Sequence, residues 1–233
     1  MDIRRKIARL IVGTILIYSS FIVFSAYGIE VVRNILLVMT LCTVAADYFR
    51  LNFGAKVPFL EPFVFHKYEE HGFSGVTFAA LGVLLALSFS DFDIAITAVA
   101  MFIYGDALAG IFGRLFGKLK IMGKNKTMVG AISMLATNVL VGFIMLHDIP
   151  TAIFMSLLAT LVEVTITIPA DDFAIPLFAA LGGQFFGAVM GVRSYLEGFT
   201  FGLIFTLVSV SGAIIAVYGF NWIAKPWQKK SST

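Results

Sequence analysis

Eight stretches of roughly twenty residues, each almost continuously apolar, divide this sequence and limit its fold more than any other feature. They cover about residues 7–27, 30–49, 73–90, 94–112, 129–147, 150–168, 174–192 and 199–223. Only 13% of the residues are charged while 59% are apolar, against about 25% charged in a soluble domain. A core built from 233 residues cannot hide that much apolar surface from water. Lipid must solvate the remainder, so the backbone has to close its hydrogen bonds within helices or a barrel. The runs are continuous rather than alternating, which excludes the barrel. The expected fold is therefore all-α: one transmembrane domain, 1–233, of about eight helices. The opening MDIRRKIARL has the outline of a secretory leader. Its apolar run continues to about Gly28 with no A-x-A-like cleavage site, so it reads as a retained first span.

The basic residues orient these spans. With a cytoplasmic N-terminus, eight crossings return the C-terminus to the same side. All but Arg33 and Arg193 of the 17 Lys and Arg residues then fall on the cytoplasmic side, the asymmetry expected of a multi-pass protein. The longer loops, 50–72 and 113–128, and the acidic pair Asp171–Asp172 fall there too. A site facing the cytoplasm is the natural expectation.

Three segments carry residue types that could do chemistry. In GDALAGIFGRLFGK (105–118), Asp106 lies within a span, where a carboxylate costs about 2.5–3.5 kcal/mol at the bilayer centre and is functional by default. Asp106, Gly110, Gly113 and Gly117 share one face if the helix continues that far. Such a face admits a nucleotide or a neighbouring backbone equally well. The following loop carries Arg114, Lys118, Lys120, Lys124 and Lys126 without an acid, and attracts phosphates of a ligand or of lipid headgroups. Gly123 and Thr127 among the lysines favour a ligand, because exposed backbone N–H groups and a hydroxyl bind phosphate or metal. No standard nucleotide-binding glycine motif is present. In TLVEVTITIPADDFAIPLF (160–178), Glu163 sits near the end of a span, Pro169 ends that helix, and Asp171 and Asp172 occupy the turn. Pro176 suits the first turn of the next helix. Three carboxylates opposite a basic loop suit Mg²⁺ holding a triphosphate or a general base for an alcohol. Asp171 or Asp172 could equally cap the helix. Two smaller readings remain. Asp47 and Arg50 stand one helical turn apart and can pair, and Gly183, Gly187 and Gly191 suit close helix packing.

Together these segments resemble the signature of CTP-dependent lipid kinases, the family of dolichol kinase, phytol kinase and a fungal-type diacylglycerol kinase. The run GDALAGIFGRLFGK…KNKTMVG resembles G-D-x-x-A-x-x-x-G-x-x-x-G-K…K-[TS]-x-x-G. HKYEEHGFSGVTFAALGV (66–83) is similar to the family's basic-acidic stretch followed by S/T-G-x-T-[FY]-x-x-x-G. DDFAIPL (171–177) is similar to its D-N-φ-x-φ-P-L turn. The resemblance covers about residues 47–178, with the first span and the last two generic. It implies transfer of the γ-phosphoryl group of CTP to a long-chain isoprenoid alcohol such as dolichol, polyprenol or phytol. The implied partners are CTP, Mg²⁺, the lipid alcohol and the bilayer, with no nucleic acid. It places Asp106, Glu163, Asp171 and Asp172 in catalytic positions, with Asp106 and Asp171 on the metal. It places Gly105, Gly113, Arg114, Gly117, Lys118, Lys124, Lys126, Thr127, Lys67 and Glu70 around the nucleotide. Val129 stands where the dolichol branch has Glu, and Asp172 where the family has Asn. The glycine–lysine loop is also shared with CDP-diacylglycerol synthases, which transfer a cytidylyl group. Their P-G-H-G-G-x-x-D-R segment is missing here. A transporter is the remaining alternative, but the carboxylates gather toward one face and no internal repeat is evident.

Overall fold

The computed structural model describes residues 3–53, 72–121, 126–166 and 170–190. Seven helices run through them: α1 (Ile3–Tyr27), α2 (Ile29–Phe53), α3 (Gly75–Phe89), α4 (Phe92–Phe116), α5 (Met128–Leu146), α6 (Ile149–Thr165) and α7 (Ala170–Val189). No strand occurs among the described residues; an isolated bridge pairs Lys120 with Thr127. Five helices, α1, α2, α4, α5 and α7, are long and apolar enough to cross a membrane, and α3 and α6 are shorter apolar helices. Large apolar side chains such as Ile22, Tyr27, Leu41 and Leu161 point outward, as in a bundle solvated by lipid. The described chain therefore carries seven helices where eight spans were expected. The eighth candidate, 199–223, and the C-terminus lie outside the described residues.

Helix ends follow local chemistry. Gly28 takes φ +81° between α1 and α2, the left-handed conformation that glycine adopts most cheaply after a helix. Ser74 caps α3 by accepting the Thr77 N–H. Two boundaries differ from those read in the sequence. The helix expected over 94–112 continues to Phe116 and is capped at Gly117, because Gly113 costs less in a packed helix than an exposed break would. The helix expected to begin near residue 174 begins at Ala170. Asp171 and Asp172 thus lie in its first turn rather than in a loop. There the Asp171 carboxylate accepts the Asp172 N–H at 3.0 Å, and acidic side chains favour the positive end of the helix dipole. Pro176 consequently sits inside α7, not in its first turn, and has no N–H to give the Asp172 carbonyl.

Helices α4 and α7 form the buried centre, while α1 and α2 are mostly exposed along their length. Small residues set the distances between helices. A Cβ at Gly82 in α3 would stand 2.4 Å from the Phe173 carbonyl oxygen, so α3 lies directly on the start of α7, one residue beyond Asp172. Gly182 and Gly183 of α7 meet Leu158 and Met155 of α6; of the other glycines read as a packing face, Gly187 is buried and Gly191 lies outside the described residues. The side-chain amide of Gln184 joins the backbone and carboxylate of Asp91 at the start of α4. At the opposite end of the bundle, the N-terminal ends of α1, α3, α5 and α7 meet the C-terminal ends of α2, α4 and α6.

Replacing Gly82 by Leu puts side-chain atoms where the Phe173 backbone lies. It is expected to cost about 1–3 kcal/mol and to lower the melting midpoint in detergent. A midpoint equal to the parent's would show that α3 and α7 have room to part.

Candidate active site

Asp106, Lys126, Glu163, Asp171 and Asp172 meet at that crowded end of the bundle. Helix α4 is not α-helical throughout, since Met101–Gly105 forms a π turn. A π turn accommodates one extra residue and often marks a functional position. Asp106 follows it immediately. Gly105 lies against Asn138 of α5, so closely that a Cβ would come within 2.3 Å of the Asn138 Oδ1. Asn138 is fully buried, and among the described residues neither side-chain amide atom has a hydrogen-bond partner.

Asp106 receives Arg9 of α1, with Nη1 3.3 Å from Oδ2; the same nitrogen lies 3.1 Å from Asp172 Oδ1. One guanidinium thus ties the first, fourth and seventh helices together. Beside it, Lys126 holds the other two carboxylates. The loop before α5 folds back on itself, with Ile121 N–H donating to the Lys126 carbonyl and Met128 N–H to the Leu119 carbonyl. This turn directs the Lys126 ammonium to Glu163 Oε1 and Asp171 Oδ2, each at 3.1 Å. The ammonium also donates to the carbonyls of Glu163 and Ile166. It therefore caps the C-terminal end of α6, where a cation is favoured by the helix dipole. Burial works against the Lys126 charge, but Glu163 and Asp171 outweigh it and hold the pKa above the ordinary lysine value. Asp171 and Asp172, neighbours in the chain joined by the Asp172 N–H donating to the Asp171 carboxylate, make the two ion-pair groups one cluster. Among the described residues, four carboxylates share two cations, a formal excess of two negative charges when all are ionised.

The structure brings together Asp106, Glu163, Asp171, Asp172 and Lys126. Gly113, Gly117 and Thr127 pack against one another. A Cβ at Gly117 would come within 2.5 Å of the Thr127 hydroxyl, and Gly113 approaches the same oxygen. The Thr127 hydroxyl caps α5 by accepting the Gly130 N–H at 3.2 Å. Arg114 and Lys118 are exposed at the end of α4. Lys67, Glu70 and Lys124 lie outside the described residues. Asp47 is 2% exposed and satisfied on both oxygens. Arg50 donates to one, and Ser74 N–H, Ser74 hydroxyl and Thr77 hydroxyl all donate to the other. That carboxylate anchors the start of α3 to α2. Two residues of the site escaped the sequence reading. Arg9 was legible only as one more charge in a basic N-terminal segment, although it stands beyond Arg4, Arg5 and Lys6 and inside the apolar run. Asn138 was legible as a polar residue in the middle of an apolar helix.

No three carboxylate, imidazole or thiol groups among the described residues converge to hold a metal by themselves. The donor set instead fits a hard divalent cation of the Mg²⁺ kind, which commonly takes one or two carboxylates and completes its shell with water and phosphates.

Part of this chain is similar to a probable phytol kinase 1 of the chloroplast from Glycine max, with 34% identity over 122 residues. The match takes in 45% of this chain and 40% of that protein, so the chain spans less than half of its relative's length. No family model matches the chain, and no solved structure matches it.

Replacing Lys126 by Met leaves Glu163 and Asp171 facing each other without their cation. A loss of about 3–5 kcal/mol is expected, as for a buried pair deprived of one partner. Thermal unfolding in detergent measures it, and K126R should recover part of the loss. An unchanged midpoint in K126M would mean that the ammonium does not hold this loop to α6 and α7.

Proposed function

We propose that this protein is a CTP-dependent lipid-alcohol kinase, transferring the γ-phosphoryl group of CTP to the hydroxyl of a long-chain isoprenoid alcohol of the phytol or polyprenol type. The observation that carries this reading is the convergence of residues from three separated segments, Asp106, Lys126 and Glu163 with Asp171 and Asp172, into one charged cluster at one end of an apolar bundle. The similarity to a phytol kinase supports the same reading. The positive charge of the N-terminal segment and the 113–128 loop supports a cytoplasmic face for that end.

Phosphoryl transfer asks for positioning and charge neutralisation more than covalent catalysis. Asp106 and Asp171 would hold a Mg²⁺ shared with the phosphates, which supplies neutralisation of the charge that builds up on them. Arg114, Lys118 and Lys124 of the basic loop draw the triphosphate, while Lys126 fixes the geometry of Glu163 and Asp171. The alcohol approaches from the lipid side of α6, whose outer face carries Leu157 and Leu161. Glu163, which shares the Lys126 ammonium with Asp171, accepts the hydroxyl proton. The alcohol oxygen then bonds to the γ-phosphorus as the bond to the β-phosphate oxygen breaks, leaving the lipid monophosphate and CDP.

The test uses purified protein in liposomes with Mg²⁺, phytol, a polyprenol mixture and CTP labelled at the α- or the γ-phosphate. Label is expected in lipid from the γ position alone. Label from the α position alone, with pyrophosphate released, would overturn the kinase reading in favour of cytidylyl transfer. In the same assay Asp106→Asn, which keeps the side-chain shape, is expected to reduce turnover by at least ~100-fold, comparable to loss of a preorganised charge at an active site, while the protein still folds. Near-parental turnover would remove Asp106 from the mechanism.

A further inference from the structure

The first helix lies outside residues 47–178, which carry the family resemblance, yet it reaches the centre of the site. Three of its residues engage α4 around the π turn. Gly13 lies on Ile103, where a Cβ would come within 2.7 Å of the side chain. The Thr14 and Tyr104 hydroxyls are 3.0 Å apart. Arg9, one helical turn before Gly13, meets Asp106. Glycine at 13 permits the approach that brings the guanidinium within reach of Asp106 and Asp172. The rest of α1 is largely exposed, apart from Ile17, which is buried in the core, and Phe24, which stacks on Phe92 at a centroid distance of 3.8 Å.

A guanidinium does not lose its charge at any accessible pH. Placed between Asp106 and Asp172, it is a permanent cation at the point where the proposed reaction requires a divalent one. Asp106 cannot give its full charge to both. A triphosphate changes that balance, because arginine binds phosphate oxygens as readily as carboxylates. We infer that Arg9 is a positioning residue that stands in for the metal: it holds Asp106 and Asp172 in place, keeps metal affinity low while the nucleotide is absent, and passes to the phosphates when the nucleotide arrives. The inference rests on the kinase reading above and adds to it a part for the first helix.

Binding of Mn²⁺ to the purified protein, followed by the paramagnetic resonance signal of the free ion, tests this without turnover. With no nucleotide present, R9Q is expected to bind Mn²⁺ at least ~10-fold more tightly than the parent, since one unit charge has left the immediate surroundings of the site. R9K, which keeps the charge, should stay within ~3-fold of the parent. A saturating β,γ-methylene analogue of CTP should bring parent and R9Q within ~3-fold of each other, because the phosphates then occupy Arg9. An arginine that only braces the fold gives the opposite sign: its loss would loosen the carboxylates, and Mn²⁺ binding would weaken or stay unchanged. Either result overturns the inference. A gap that persists at full nucleotide saturation overturns the transfer to phosphate. Should R9Q not fold, Gly13→Leu withdraws the guanidinium by forcing α1 off Ile103, and the same tightening is expected; unchanged or weaker binding there counts equally against it. If neither parent nor variants bind Mn²⁺ under any condition, the metal site itself falls, and the kinase reading loses its charge argument along with Arg9. Equal Mn²⁺ binding by parent and R9Q overturns the role of Arg9 alone.

Discussion

Four carboxylates cannot remain together inside an apolar bundle without cations beside them, and most of the architecture at one end of this protein follows from that requirement. Moving an ion from water into a low-dielectric interior costs several kcal/mol even after relaxation. The compensating charges come from places far off in the sequence: Arg9 from the first helix, and Lys126 from the loop before α5. Each bridges two elements. Arg9 joins α1 to α4 and α7, and Lys126 joins its loop to the end of α6 and the start of α7. The electrostatic requirement is therefore also a topological one, because it fixes which helix ends must be neighbours.

Glycines supply the distances at which those charges can meet. Gly82 lets α3 rest on the Phe173 backbone, just beyond Asp172, and Gly13 lets α1 close on the π turn. Gly113 and Gly117 close around Thr127, whose hydroxyl begins α5 directly after Lys126. Ser74 and Thr77 bind the buried Asp47. The motif S-G-x-T-F-x-x-x-G thus acts through two neighbours at once, α2 by its hydroxyls and α7 by its last glycine. Residues that look like a binding signature in the sequence include several whose contacts are with other helices, and those contacts place the ionisable groups.

The sequence made the class of fold plain because a continuous apolar run has few alternatives once it is long enough. It also made the acidic and basic members of the cluster plain, since charge inside such a run needs a reason. Asp106 and Glu163 stand out this way, while Lys126 belongs to an acid-free basic loop and Asp171 and Asp172 to the turn after Pro169. Arg9 did not, because a basic residue in a basic segment before a first span already has an explanation in the expected membrane orientation. The start of α7 was misplaced because Pro176 signals a first turn in a single sequence, whereas the packing of α3 and the charge on Asp171 and Asp172 extend the helix back to Ala170. The π turn was not legible, since no residue in MFIYG announces an extra residue in a helix.

That π turn has a consequence for how this chain can vary in length. A helix with one residue too many keeps its two halves in phase by bulging, so removal of one residue from Met101–Gly105 would restore a regular ladder and leave Asp106 aimed as before. The same deletion elsewhere in α4 between the turn and a packed neighbour would swing everything beyond it by about 100°. Among relatives of this protein, single-residue gaps should therefore be tolerated at the bulge and absent from the flanking turns.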